Sequence, residues 1–164
     1  MINVIFVCLG NICRSPLGEG IFRHLVTQAG LSERFEIDSA GTGNWHVGKP
    51  PHEGSLRVAR DRGLDISLQR ARQIQIEDLD DHDYVVAMDT RNFTDIRDLD
   101  PLRKTRAQVV RMMDFAPARG LSDVPDPYFG GPEGFDHVYD LVEEACKGLL
   151  AHIAAEKGLR LTSL

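Results

Sequence analysis

The sequence predicts an α/β protein, a small doubly wound, four-stranded parallel sheet with helices on both faces. Three observations carry that reading. Short apolar runs rich in β-branched residues alternate with amphipathic stretches of helical period, which is the pattern of βαβ units. Residues 4–7 are apolar without a break, as befits a strand covered on both faces. That run then passes through the loop Cys8-Leu9-Gly10-Asn11-Ile12-Cys13-Arg14 into Ser15 and Pro16, residue types suited to a helix start.

Taken in order, strand 1 covers residues 4–7. Helix 1 opens with Ser15 as a candidate cap and places Ile21, Phe22, Leu25 and Val26 at helical spacing, with Gly30 as its stop. No capping-box acid follows Ser15, because Gly18 stands at that position. Strand 2 is expected over 35–39, leading into a glycine-rich loop through Gly41, Gly43 and Trp45. A helix over 55–62 ends at Gly63, strand 3 covers 84–88, and residues 92–99 are helical. Strand 4 is expected over 109–112, and a long final helix over 135–155. The acidic run 77–83 reads as a solvated approach to strand 3. In such a fold ligands bind at the carboxyl ends of the strands, where the strand order switches.

The length of 164 residues suits one domain, 1–164, and the 42% apolar and 27% charged contents suit a globular chain. No apolar run is long enough to span a bilayer, so membrane insertion is not expected. The N-terminus lacks the basic segment and cleavage site of a signal peptide. Three cysteines are too few, and odd in number, for a secreted disulfide framework, so a cytoplasmic setting is expected. A net charge of −6 argues against nucleic acid or an anionic membrane as the main partner.

The chemistry is concentrated between Cys8 and Ser15. A loop joining a strand to a helix N-terminus can turn successive backbone N–H groups inward as an anion cradle. Gly10 and Asn11 are types that tolerate left-handed backbone in so tight an arc. Arg14 can close the cradle with a planar fork that matches two phosphate oxygens. A helix N-terminus and a cation favour the thiolate of a cysteine placed there, and Ser15 can donate a further hydrogen bond to it. A buried, inert Cys8 is the bland alternative, and the spacing to Arg14, Ser15 and Pro16 argues against it. No Gly-Lys-Ser/Thr follows Gly10, so a Walker loop is excluded. Cys8 and Cys13 are separated by four residues, not the two of a thioredoxin-like motif.

From Val7 to Pro16 the chain resembles the signature loop of the low-molecular-weight protein tyrosine phosphatases. The likeness continues through Asp38-Ser39-Ala40-Gly41-Thr42, Ala71-Arg72-Gln73, Met88-Asp89 with Asn92, and Asp126-Pro127-Tyr128, in the family's order. It implies a four-stranded parallel sheet, Cys8 as nucleophile through a cysteinyl-phosphate, and a tyrosine-phosphorylated protein as substrate, without a cofactor. Leu9, Gly10, Asn11, Ile12, Cys13 and Ser15 then belong to the phosphate loop, and Asn11 and Ser39 hold it in shape. Relatives that prefer phosphoarginine are similar but carry a smaller polar residue in place of Ile12, which favours phosphotyrosine here. The family often adds a histidine before the Ala-Arg-Gln triplet, where this chain has Gln69. Gln69 can hydrogen-bond but carries no charge.

The departing aryloxide needs a proton donor. Asp126 lies between Pro125 and Pro127 beside Tyr128 and Phe129. Its composition alone fits a turn former equally well, and the resemblance makes it the general acid. Asp123 is the nearby rival. Trp45, Tyr128 and Phe129 match residues that line the family's substrate crevice, with a peripheral core role as the alternative for Phe129. Cys13 matches the second loop cysteine, which implies capture of an oxidised Cys8 as a reversible disulfide; simple packing is its alternative. Cys146 lies in the final helix and reads as core. The six histidines form no metal pattern. An arsenate reductase has a similar loop but needs two further clustered cysteines, and none lies between Cys13 and Cys146. A phosphate-binding module without catalysis would need neither Cys8 nor Asp126.

Overall fold

The computed structural model describes residues 1–161. Four parallel strands, β1 (Ile2–Cys8), β2 (Phe35–Gly41), β3 (Tyr84–Ala87) and β4 (Gln108–Arg111), form one sheet in the order β2-β1-β3-β4. The helices between them are α1 (Arg14–Gln28), α2 (Glu53–Asp61), α3 (Asp78–Asp81) and α4 (Thr90–Leu99), and α5 (Pro132–Lys157) closes the chain. β1 pairs with β2 on one side and β3 on the other, so the chain reverses its direction of growth around β1. The loop that leaves the carboxyl end of β1 therefore sits at the switch point.

Period-two alternation splits the core across the sheet. Val4, Phe6, Cys8, Tyr84 and Val86 pack on the α1 and α5 side, whereas Ile5, Val7, Val85 and Ala87 face Leu79 and Ile96 of α3 and α4. Both faces of β1 are covered, which is why residues 4–7 are uniformly apolar. Gly18 lets α1 lie flat on this sheet, since a Cβ there would stand 2.7 Å from Met88 Cε and 2.8 Å from Phe6 Cδ1. Close packing thus excludes any larger side chain at position 18.

Several sequence expectations shift. Ser15 is not the cap of α1: the capping position falls on Cys13 and receives no side-chain hydrogen bond. The final helix starts at Pro132, and α4 at Thr90 behind an Asp89 cap that accepts from Asn92 N at 2.7 Å. The acidic run is not simply solvated, because it contains α3, with Asp78 and Leu79 buried. Asp78 is neutralised by Arg72 at 2.9 Å and Asp83 by Arg106 at 2.6 Å. No helix among the described residues is long and apolar enough to cross a membrane.

Candidate active site

Between the end of β1 and the start of α1, residues 9–13 bend in an arc. Among the described residues, no backbone N–H of 9–13 donates a hydrogen bond to another protein group. Asn11 takes the left-handed conformation, with φ of 57°, at a cost that its short polar side chain offsets locally. Gly10 does not share that conformation. Its bare Cα instead makes room for His46, whose Cδ2 would lie 2.9 Å from a Cβ there. β2 presses against the arc at Gly41, where a Cβ would come within 2.7 Å of Leu9 O. Thr42 N and Gly43 N then donate to Cys8 O and Leu9 O, both at 2.9 Å.

Arg14 is buried beside this arc, and one edge of its guanidinium is fully used. Nη1 donates to Asp89 Oδ2 at 2.7 Å and to Val124 O at 2.9 Å. The other edge is open: Nε is buried without a partner, and Nη2 lies 3.7 Å from Asp126 Oδ2. Burial works against the Arg14 charge, but Cys8, the hydrogen bond to Asp89 and the Asp89 and Asp126 carboxylates outweigh it and hold the group above its ordinary range. Asp89 is the site residue that sequence reasoning left without a role. It sits 75 positions from Arg14, and it entered the sequence reading only through the family likeness of Met88-Asp89 with Asn92.

Behind the arc lies a polar network. Cys8 Sγ is 3.1 Å from Ser15 Oγ. Asn11 Nδ2 donates to Ser15 Oγ at 2.8 Å and to Ser39 Oγ at 3.0 Å, while Asn11 Oδ1 accepts from Arg72 N at 3.0 Å. Arg72 is anchored by Asp38 and Asp78 at 2.8 and 2.9 Å. Gln69 reaches this network where a histidine was expected, with Nε2 on Pro16 O at 3.0 Å and Oε1 in a long contact with Ser39 Oγ at 3.5 Å.

In front of the arc is a cavity of about 330 Å³. Cys8, Leu9, Gly10, Ile12, Cys13 and Arg14 line its base, and Trp45, Asp126, Tyr128 and Phe129 its sides, together with His46, which sequence reasoning had set aside. Phe129 is 95% exposed and meets Tyr128 edge-on at 4.8 Å, so it is no core residue. Tyr128 also lies between His46 and His52, at ring distances of 6.1 and 5.6 Å. Asp126 Oδ1 accepts from Tyr128 N at 3.0 Å. The rival Asp123 is outside the cavity lining and receives the N–H and hydroxyl of Thr90, both at 2.8 Å. Cys13 is buried in the base, and burial first, then Cys8 and Asp126, push its thiol up to about 12 despite Arg14. Among the described residues no group of three or more His, Cys, Asp or Glu side chains is arranged to hold a metal.

Known proteins are similar to this chain in sequence and in fold. The model of the family described as "Low molecular weight phosphotyrosine protein phosphatase" matches residues 3–159. YfkJ of Bacillus subtilis, a low molecular weight protein-tyrosine-phosphatase, is 45% identical over 159 residues, spanning 97% of this chain and 100% of its own. Its crystal structure superposes with a TM-score of 0.90 at 44% identity, covering 96% of this chain and 97% of that one. A Drosophila arginine phosphatase structure matches at a TM-score of 0.86 and 31% identity, covering 92% of this chain and 96% of that one. A family match from residue 3 to 159, together with a parallel four-stranded sheet whose first loop carries Cys8 and Arg14, makes this chain a member of the low molecular weight protein tyrosine phosphatases, which are hydrolases.

Proposed function

We propose that the chain hydrolyses phosphotyrosine in proteins through Cys8, Arg14 and Asp126, and that it works in the cytoplasm. The observation that carries this reading is the set of unpartnered donors around one sulfur. The N–H groups of 9–13 and the buried Nε of Arg14 have no protein acceptor among the described residues. Buried donors without acceptors are costly, and a phosphoryl group above Cys8 satisfies them together. Arg14 binds two of its oxygens with Nε and Nη2, because Asp89 and Val124 occupy Nη1 and hold the plane of the fork.

The thiolate of Cys8 attacks phosphorus, forming the S–P bond as the P–O bond to tyrosine breaks. Asp126 gives its proton to the departing phenolate oxygen. Water then attacks the cysteinyl phosphate, Asp126 takes its proton back, and the thiolate and inorganic phosphate are released. Trp45 and Tyr128 supply walls for a flat ring, and the apolar Ile12 on the cavity base suits an aryl group better than a guanidinium.

Cys8→Ser tests the reading directly. The variant should lose more than about a thousandfold in turnover of p-nitrophenyl phosphate and phosphotyrosine peptides while still binding vanadate. Turnover above that level removes Cys8 as the nucleophile. Faster hydrolysis of phosphoarginine than of phosphotyrosine by the unaltered enzyme overturns the substrate assignment.

A further inference from the structure

Tyr128 forms one side of the cavity, yet little holds its ring there. The residue is 40% exposed, and its hydroxyl makes no hydrogen bond among the described residues. The side chain rests instead on three other rings. Phe129 is itself 95% exposed and gives no fixed support. His46 lies 6.1 Å away, and its ring has no hydrogen-bond partner among the described residues. His52 is the nearer histidine, at 5.6 Å and an interplanar angle of 66°, and its own ring is fixed twice over.

The first restraint is a cap. His52 stands at the N-cap of α2, where its Nδ1 accepts from Gly54 N at 2.9 Å. That bond requires a lone pair on Nδ1 and sets the turn of the ring. The second restraint is a stack: Phe135 of α5 lies 5.0 Å from the imidazole and within 19° of parallel. Gly54 makes room for it, because a Cβ there would stand 2.5 Å from Phe135 Cε2. The backbone is tied to the cradle as well. His52 N donates to Ile12 O at 2.7 Å, and Ser55 Oγ donates to Cys13 O at 2.8 Å. Ser, Thr, Asp and Asn are the preferred caps, so the cap alone gives no reason for a histidine. The ring contact with Tyr128 does.

We propose that His52 is a positioning residue for substrate specificity: its ring, fixed by α2 and α5, holds Tyr128 at the distance from the cradle that admits an aryl group. The inference rests on the reading of this cavity as an aryl phosphate site. His52 does not line the cavity, so it acts only through Tyr128. Phosphoryl binding is left to the cradle. The proton donor is also left alone, because Asp126 accepts from the Tyr128 backbone and not from its ring.

Three substitutions separate the ring from the cap. His52→Asn keeps a preferred cap and loses the ring. His52→Phe keeps a ring and loses the acceptor, and His52→Ala loses both. KM for p-nitrophenyl phosphate and for phosphotyrosine should rise about fivefold in His52→Asn and His52→Ala, at unchanged kcat. In His52→Phe it should return to within about twofold of the unaltered enzyme. Inorganic phosphate fills the cradle without reaching the wall, so its inhibition constant should move by less than about twofold throughout. Thermal melting should fall in His52→Phe, which has lost the cap, so its recovered KM is not a matter of stability.

An unchanged KM in His52→Asn overturns the proposal. So does a KM raised equally in His52→Phe, since a ring then rescues nothing. A phosphate inhibition constant that climbs in step with KM moves the fault to the cradle and overturns it too. If His52→Ala does not fold, the other two variants decide. Turnover of p-nitrophenyl phosphate without turnover of phosphotyrosine is a separate failure, of the substrate assignment, and KM for the first compound still judges His52.

Discussion

Between Asn11 and Ser15 every residue is less than a tenth exposed, and the side chains of Asn11, Arg14 and Ser15 are tied to β2, to the Asp89 cap of α4 or to each other. From Asp126 to Phe129 the chain is exposed at every residue but Pro127. The Asp126 side chain is 44% exposed and Phe129 stands clear of the surface. That loop is held from behind, through Val124 N on Met88 O at 2.9 Å, Arg14 on Val124 O, and Asp123 on Thr90. The two segments line one cavity, and in the proposed mechanism they have different duties. An anion cradle must be built in advance, since donors that reorganise during reaction stabilise the transition state less. A proton donor must meet leaving groups of different shape, and an exposed arm on a fixed base permits that.

If the cradle works through geometry, a change that keeps its charge should still be ruinous. Arg14→Lys leaves one cation in place but cannot grip two phosphoryl oxygens while also holding Asp89 and Val124 O. The expected loss in kcat is about a thousandfold, with thermal stability also reduced because Asp89 loses its partner. Near-normal turnover means that a point charge suffices and that the cradle is not preorganised around Arg14.

The exposed arm should fail more selectively. Asp126→Asn keeps the loop's hydrogen bond to Tyr128 N but cannot protonate a leaving group. Phosphotyrosine turnover should fall about a hundredfold, and p-nitrophenyl phosphate, whose phenolate leaves unaided, by about tenfold or less. Asp123→Asn, on the far side of the loop, should leave the leaving-group dependence intact. Equal slowing of the two substrates by Asp126→Asn places the proton donor elsewhere.

The same contrast explains what could be read from the chain beforehand. The cradle was legible because its parts are consecutive: a two-sided apolar strand, a seven-residue arc and a helix start. The strand–helix order followed from local periodicity in the same way. What was misread depends on distant partners. A capping rule sees the Ser15 hydroxyl beside its own helix, but Asn11 and Cys8 claim it. Charge composition alone made residues 77–83 look solvated, because Arg72 and Arg106, which neutralise Asp78 and Asp83, come from outside the run. Asp89 reaches Arg14 across the sheet, and His52 meets Tyr128 and Phe135 only in the folded chain. Asp126 itself was ambiguous by composition, and only the resemblance assigned it.

The struts behind the cradle offer a smaller effect with a defined sign. Burial alone raises the Asp78 carboxyl, but hydrogen bonds from Arg72 and Gln75 N overcome it and hold the group below its ordinary range. A depressed carboxyl stabilises the fold above its unfolded-state value, about pH 4, and that contribution is lost as pH falls through the folded-state value. Asp78→Asn should therefore melt several degrees lower at neutral pH, and the gap should narrow in acid. A gap that stays constant down to about pH 3 shows that Asp78 contributes shape and not charge.

The smallest change in basal rate is expected at Cys13, where the two sulfurs of the cradle differ most. Cys13 is a buried thiol, pushed up to about 12 chiefly by desolvation, so it is protonated and slow to react at neutral pH. Peroxide should therefore oxidise Cys8 first, giving Cys8–SOH and water. Attack by the Cys13 sulfur then forms a Cys8–Cys13 disulfide, with the Cys13 proton and the sulfenic hydroxyl leaving as a second water. Because this step needs Cys13 to lose its proton, capture should accelerate as pH rises. Cys13→Ser should match the unaltered enzyme in turnover to within about twofold, since a hydroxyl nearly conserves the volume. After matched peroxide exposure, dithiothreitol should restore the unaltered enzyme and not the variant, whose sulfenic acid proceeds to the irreversible sulfinic state. Equal recovery of the two proteins reduces Cys13 to packing, and the two cysteines of the cradle would then share a wall without sharing chemistry.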